Sequence, residues 1–71
     1  MTTHNRLSPY FAAVAADNAW HDELIRIFGR RNASNVRYQK AGRGDPGSNL
    51  RYLYDARTAA QEAWRRALDP V

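Results

Sequence analysis

Asp17 and His21 stand four residues apart in "AADNAWHDELIRIF", a stretch that reads as helix, and that spacing puts both side chains on one face. An aspartate beside a histidine can orient a general base or supply two metal ligands. Either use needs more groups: a nucleophile or substrate contact for catalysis, further ligands for a metal. The only other imidazole is His4 and the chain has no cysteine. No catalytic set, metal site or cofactor is therefore expected, and the chain does not read as an enzyme. The pair has a simpler use as part of a structural network. Arg57 and Gln61 occupy the matching central positions of a second helical stripe. Asp17, His21, Arg57 and Gln61 are thus a candidate buried polar network that favours one register of helix pairing over others.

"GRGDPGS" at 42–48 spells G-x-G-x-x-G at Gly42, Gly44 and Gly47. In a dinucleotide fold such glycines let backbone N–H groups approach pyrophosphate, but they do so within a parallel sheet of several βαβ units, and no such sheet fits this chain. A Walker A loop needs Lys and then Ser or Thr after its second glycine, whereas Ser48 and Asn49 follow Gly47. Arg43-Gly44-Asp45 would need a cell-surface receptor, which an intracellular chain does not meet. What survives is a candidate anion site at Gly47, Ser48 and Asn49, where free N–H groups open a helix with Lys40 and Arg43 close by. The alternative is a turn that only reverses the chain.

A third constellation is the basic series Arg30, Arg31, Arg37, Lys40 and Arg43. Tyr38 lies among them, and Asn32, Asn35 and Gln39 add neutral donors. Cations that can track phosphates, interleaved with an aromatic ring that can stack, make a candidate nucleic-acid footprint. Exposed arginine and tyrosine equally suit an acidic protein surface. The bulk charge supports a polyanion partner. The net charge is +4 and the pI near 10.1. Residues 29–48 hold five basic side chains against Asp45 alone, and the remainder holds six basic and six acidic ones. The whole excess lies in that central segment.

At 71 residues the chain is one small domain with a modest core, close to the lower size at which a fold stands alone. Association with a partner, including a homodimer, would add stability. The longest apolar run, "YFAAVAA" at 10–16, ends at Asp17 and falls far short of the ~20 residues of a membrane span. A cytoplasmic protein with no membrane contact is expected.

The positioning elements are two amphipathic helices. Ser8 as N-cap and Pro9 at the first helical position start one over 9–28, and Gly29 suits its C-cap. Tyr10, Phe11, Val14, Trp20, Leu24, Ile25, Ile27 and Phe28 share its apolar arc, with Ala12, Ala16, Ala19, Glu23 and Arg26 facing away. The second covers 49–68, capped by Ser48 or Asn49 and closed by Asp69-Pro70. Its stripe is Leu50, Leu53, Tyr54, Ala60, Trp64 and Leu68, with Arg51, Asp55, Glu62 and Arg66 outside it. The spacing predicts an all-α antiparallel hairpin with a long basic connector, in which "VRYQ" at 36–39 alternates like a short strand. The first arc is wider than the second helix can cover, so the connector or a second copy must pack over it.

"NAWHDELIRIFGRR", "VRYQKAGRG" and "LRYLYDARTAAQEAW" together resemble the small proteins carried by proteobacterial phages and mobile elements. The helix, basic segment and helix layout is also similar to small phage head-tail joining proteins. The resemblance implies a non-enzymatic role in handling DNA, assembling a virion or blocking a host defence complex. The reading that follows is a small basic protein presenting a cationic connector to nucleic acid, with a protein-protein module as the alternative.

Overall fold

The computed structural model describes residues 4–68. Three helices follow one another: α1 over His4–Phe28, α2 over Arg30–Val36 and α3 over Asn49–Leu68, with a 3-10 turn at Lys40–Arg43 between the last two. The described residues contain no strand. Residues 36–39 are the end of α2 and the turn after it. In place of two helices and a long irregular connector, the chain folds the connector itself.

α1 begins earlier than the Ser8-Pro9 signal suggests, so Pro9 lies inside the helix. Its missing N–H forgoes only the bond to the Asn5 carbonyl, in a second turn that is still close to the open end. The closing Asp69-Pro70 signal lies outside the described residues.

Gly29 joins α1 to α2. Its N–H donates to the Ile25 carbonyl at 2.8 Å and its own carbonyl accepts from Ala33 N–H at 3.0 Å, so one residue ends one helix and starts the next. Its φ of 90° and ψ of 153° are open to glycine alone. This is a sharper corner than the left-handed C-cap that the position suggests.

Helix α2 is short because only Ala33 and Val36 anchor it. Their three-residue spacing gives one buried edge, and the rest of the helix faces water. Residues 36–39 favour a strand by composition, but a lone strand finds no mate here. Burying Val36 on the helical edge satisfies it instead.

α3 runs antiparallel to α1. Tyr10 meets Trp64 with ring centroids 5.2 Å apart, Trp20 meets Tyr54 at 5.5 Å, and Arg57 reaches Asp17 between them. Trp20, Leu24, Ala33 and Leu50 form the core, with Ile25, Phe28, Leu53 and Tyr54 packed around it. All three helices contribute, which places the core at the end of the molecule where α2 lies.

The other end is open. At 1.5 Å per residue α2 spans about 10 Å and α1 about 37 Å, so α2 flanks only part of its neighbour. Tyr10, Phe11 and Val14, on the arc expected to be buried, stay exposed there, as does Leu68, and Ile27 of the same arc is exposed at the α2 end. Glu23 departs in the opposite sense: it belongs to the face expected to look outward, yet it is buried. The radius of gyration, 13.8 Å, exceeds the roughly 11 Å of a rounded chain of this length, as an incompletely flanked long helix requires. No described helix is long and apolar enough to cross a membrane.

Candidate nucleic-acid interface

The centre of the molecule is polar and charged. Asp17 Oδ1 accepts from Arg37 Nη2 at 2.8 Å and from Arg57 Nε at 2.8 Å, so one carboxylate joins all three helical segments. Arginine can only donate, so His21 Nδ1, 3.2 Å from Arg37 Nη1, is the acceptor in that contact. Both guanidinium groups lie over the Trp20 ring, at 5.0 Å for Arg37 and 4.6 Å for Arg57. The indole offers them a π-face that tolerates charge with little water. Partial burial pushes the Asp17 carboxyl up, but hydrogen bonds and charges from Arg57 and Arg37 together outweigh it and hold the group below the ordinary aspartate value.

The network brings Asp17, His21 and Arg57 together and adds Arg37. Gln61 does not join: it lies further along α3, beside Trp64 and Leu68 in a cleft of about 300 Å³. Arg37 changes role as a result. It is counted with the basic series in the sequence, yet its side chain is only 20% exposed and already paired. It is an internal cation that ties the basic segment to the core.

Trp20 anchors the same segment from below. Its Nε1–H donates to the Gly42 carbonyl at 2.9 Å across 22 residues. Gly42 is buried, and a Cβ there would overlap the Val36 carbonyl. Glycine is required for the 3-10 turn to close on the end of α2. The glycines of "GRGDPGS" therefore serve a tight chain reversal, and Gly44 and Gly47 add positive φ values to it.

Ser48 caps α3. Its hydroxyl donates to the Asp45 carbonyl at 2.8 Å and accepts from Arg51 N–H at 3.1 Å. Glu23 of α1 lines one cleft with Ser48 and Asn49, two of the three residues of the candidate anion site. Arg26 holds Glu23, with Nε and Nη2 at 2.9 and 2.6 Å from its two oxygens. Arg26 first, and the nearby Asn49 amide second, bring the Glu23 carboxyl down to about 2. The Glu23–Arg26 pair therefore stands on the approach to Ser48 and Asn49. The signal that could have found Glu23 is its place one turn before Arg26 and at the level of the α3 N-terminus, where a helix dipole favours an acid.

What remains facing water is a strip of chain. Arg30, Arg31, Asn32, Ser34 and Asn35 are exposed on α2, followed by Tyr38, Gln39, Lys40 and Arg43. No carboxylate occurs between Arg30 and Gly44. Among the described residues Arg30, Arg31, Lys40, Arg43 and Arg65 have no ion-pair partner, whereas Arg26, Arg51 and Arg66 each have one and Arg37 and Arg57 share Asp17. Tyr52 is exposed as well, on the outward side of α3. No group of three His, Asp or Glu side chains among the described residues could hold a metal ion.

The chain matches no protein-family model, no curated protein and no solved structure.

Proposed function

We propose that the chain is a non-enzymatic binding protein whose folded basic segment, residues 30–43, contacts nucleic acid, in the phage or mobile-element setting that its sequence style implies. The observation that carries this reading is the sorting of its cations. Outside this segment Arg65 is the one described arginine without a carboxylate partner, while Arg30, Arg31, Lys40 and Arg43 stand exposed and unpaired together on one acid-free stretch of chain. Asn35 and Gln39 add neutral donors that suit phosphate oxygens. The strip is pre-ordered by the Arg37, Ala33, Val36 and Gly42 contacts, so little backbone entropy is lost on docking.

Binding measured against salt tests the proposal. Four neutralised phosphates give a slope of log K against log salt of about −3 to −4. Changing Arg30, Arg31, Lys40 and Arg43 to Gln should remove binding while the helical circular dichroism stays intact. Affinity retained in that variant rules the proposal out.

A second reading is favoured by the open end. Tyr10, Phe11 and Val14 are exposed on α1, and from Ser8 to Ala16 there is no charged side chain. A second copy suits this face, because two molecules of net positive charge approach most easily where neither is charged. Ala13 between Phe11 and Val14 is buried, so the patch is small and a pair formed through it is weak. Sedimentation over a wide concentration range should show a weak dimer that Phe11→Asp abolishes. A monomer at every concentration excludes it.

A further inference from the structure

We infer that the nucleic acid this segment takes is single-stranded, and that Tyr38 is the platform on which an unpaired base stacks. The inference rests on the nucleic-acid reading above and narrows its ligand.

Tyr38 is 83% exposed, more than any other large apolar or aromatic side chain among the described residues. It directly follows Arg37, whose guanidinium lies over the ring, 5.7 Å from its centroid. That guanidinium does not wander with the tyrosine, because Asp17 and His21 hold it from below and Trp20 packs against it. One face of the ring is therefore backed by a fixed cation, and so high an exposure leaves the opposite face open to solvent. An open aromatic face flanked by cations is the arrangement that accepts a base by stacking while phosphates are held alongside. Lys40 and Arg43 in the following turn, with Arg30 and Arg31 at the far end of α2, supply the charges for the phosphates on either side.

Duplex is disfavoured by the same geometry. Bases in a duplex are already stacked on each other, so Tyr38 could reach a base face only by first unstacking a pair. Helix α2, about 10 Å long, is too short to lie along a groove and read base edges. A duplex would meet the four cations and leave the ring in water.

The test is fluorescence anisotropy on the intact chain with labelled 12-nucleotide single-stranded DNA, single-stranded RNA and duplex DNA at one low salt concentration. Either single strand should bind at least about 10-fold more tightly than the duplex, and the DNA and RNA arms identify which strand is preferred. Tyr38→Ala should weaken single-strand binding about 5- to 30-fold, the loss of one stacked base, and leave duplex affinity within about 2-fold. Tyr38→Phe, which keeps the ring, should restore single-strand binding. Equal affinity for duplex and single strand, or an unchanged single-strand affinity in Tyr38→Ala, overturns the inference and leaves nucleic-acid binding standing. Failure of the unaltered chain to bind any of the three overturns both.

Discussion

Asp17 carries the most connections for its size, so Asp17→Asn is the sharpest perturbation of this fold. The substitution keeps an acceptor of the same shape at Oδ1 and removes its charge. Two charge-assisted bonds, to Arg37 and Arg57 at 2.8 Å each, become neutral-acceptor bonds. That change costs about 1 kcal/mol apiece. The two guanidinium groups, at 20% and 22% side-chain exposure, then face each other with no counter-charge. Solvent reaching Asp17, which is 28% exposed, screens part of that repulsion. The total is about 2–3 kcal/mol, against roughly 4–10 kcal/mol for the whole stability of a chain this size. Thermal unfolding followed by circular dichroism should fall by roughly 10–20 °C. A double-mutant cycle of Asp17→Asn with Arg57→Gln in urea should return a coupling of about 1 kcal/mol or more. Additivity within about 0.5 kcal/mol would mean that water, and not Asp17, solvates Arg57, and the account of a tied centre would be wrong.

Acid should destabilise the protein through the same carboxylates. Asp17 and Glu23 both have folded-state values held below the ordinary 3.8 and 4.5, Glu23 at about 2. Their contribution is therefore complete above those ordinary values and is lost as pH falls from about 5 toward 2. Urea midpoints measured across that range should decline in the unaltered chain and decline less in the Asp17→Asn, Glu23→Gln pair; parallel declines refute the assignment. Gly42→Ala should cost about 1–3 kcal/mol, since its Cβ meets backbone and not a movable side chain. Trp20 fluorescence should shift with it if the bond to the Gly42 carbonyl is broken, and an unchanged urea midpoint would show that the turn can move aside.

The two long helices were legible because their signals are local: a 3.6-residue apolar period, Ser48 ahead of α3, and Gly29 behind α1. α2 was not, because seven residues with two buried positions carry too little periodicity to outweigh the β-favourable "VRYQ" beside them. It exists because Ala33 and Val36 find a core built from distant parts of the chain, at Trp20, Leu24 and Leu50. The apolar arc of α1 was overread for the converse reason. Periodicity marks a face that can be buried, while the length of the neighbouring helix decides how much of it is.

Arg37 shows how the same limit shapes a functional site. Counting formal charge treats it as equal to Arg30, Arg31, Lys40 and Arg43, although its partner lies 20 residues away. A half-buried acid such as Asp17 demands a cation, and the spacing on α1 shows the demand without showing which arginine meets it. Once Arg37 meets it, the basic segment loses one of its five cations as a ligand contact and gains a fixed point. The remaining four are then displayed from a folded surface, not a loose loop. That exchange is why the neutralised arginine, which contacts no ligand in the proposed complex, should matter to binding through the position of Tyr38. Arg37→Met, which preserves the stem and deletes the charge, should weaken single-strand binding more than duplex binding. Equal weakening of both would place Arg37 back among the phosphate contacts.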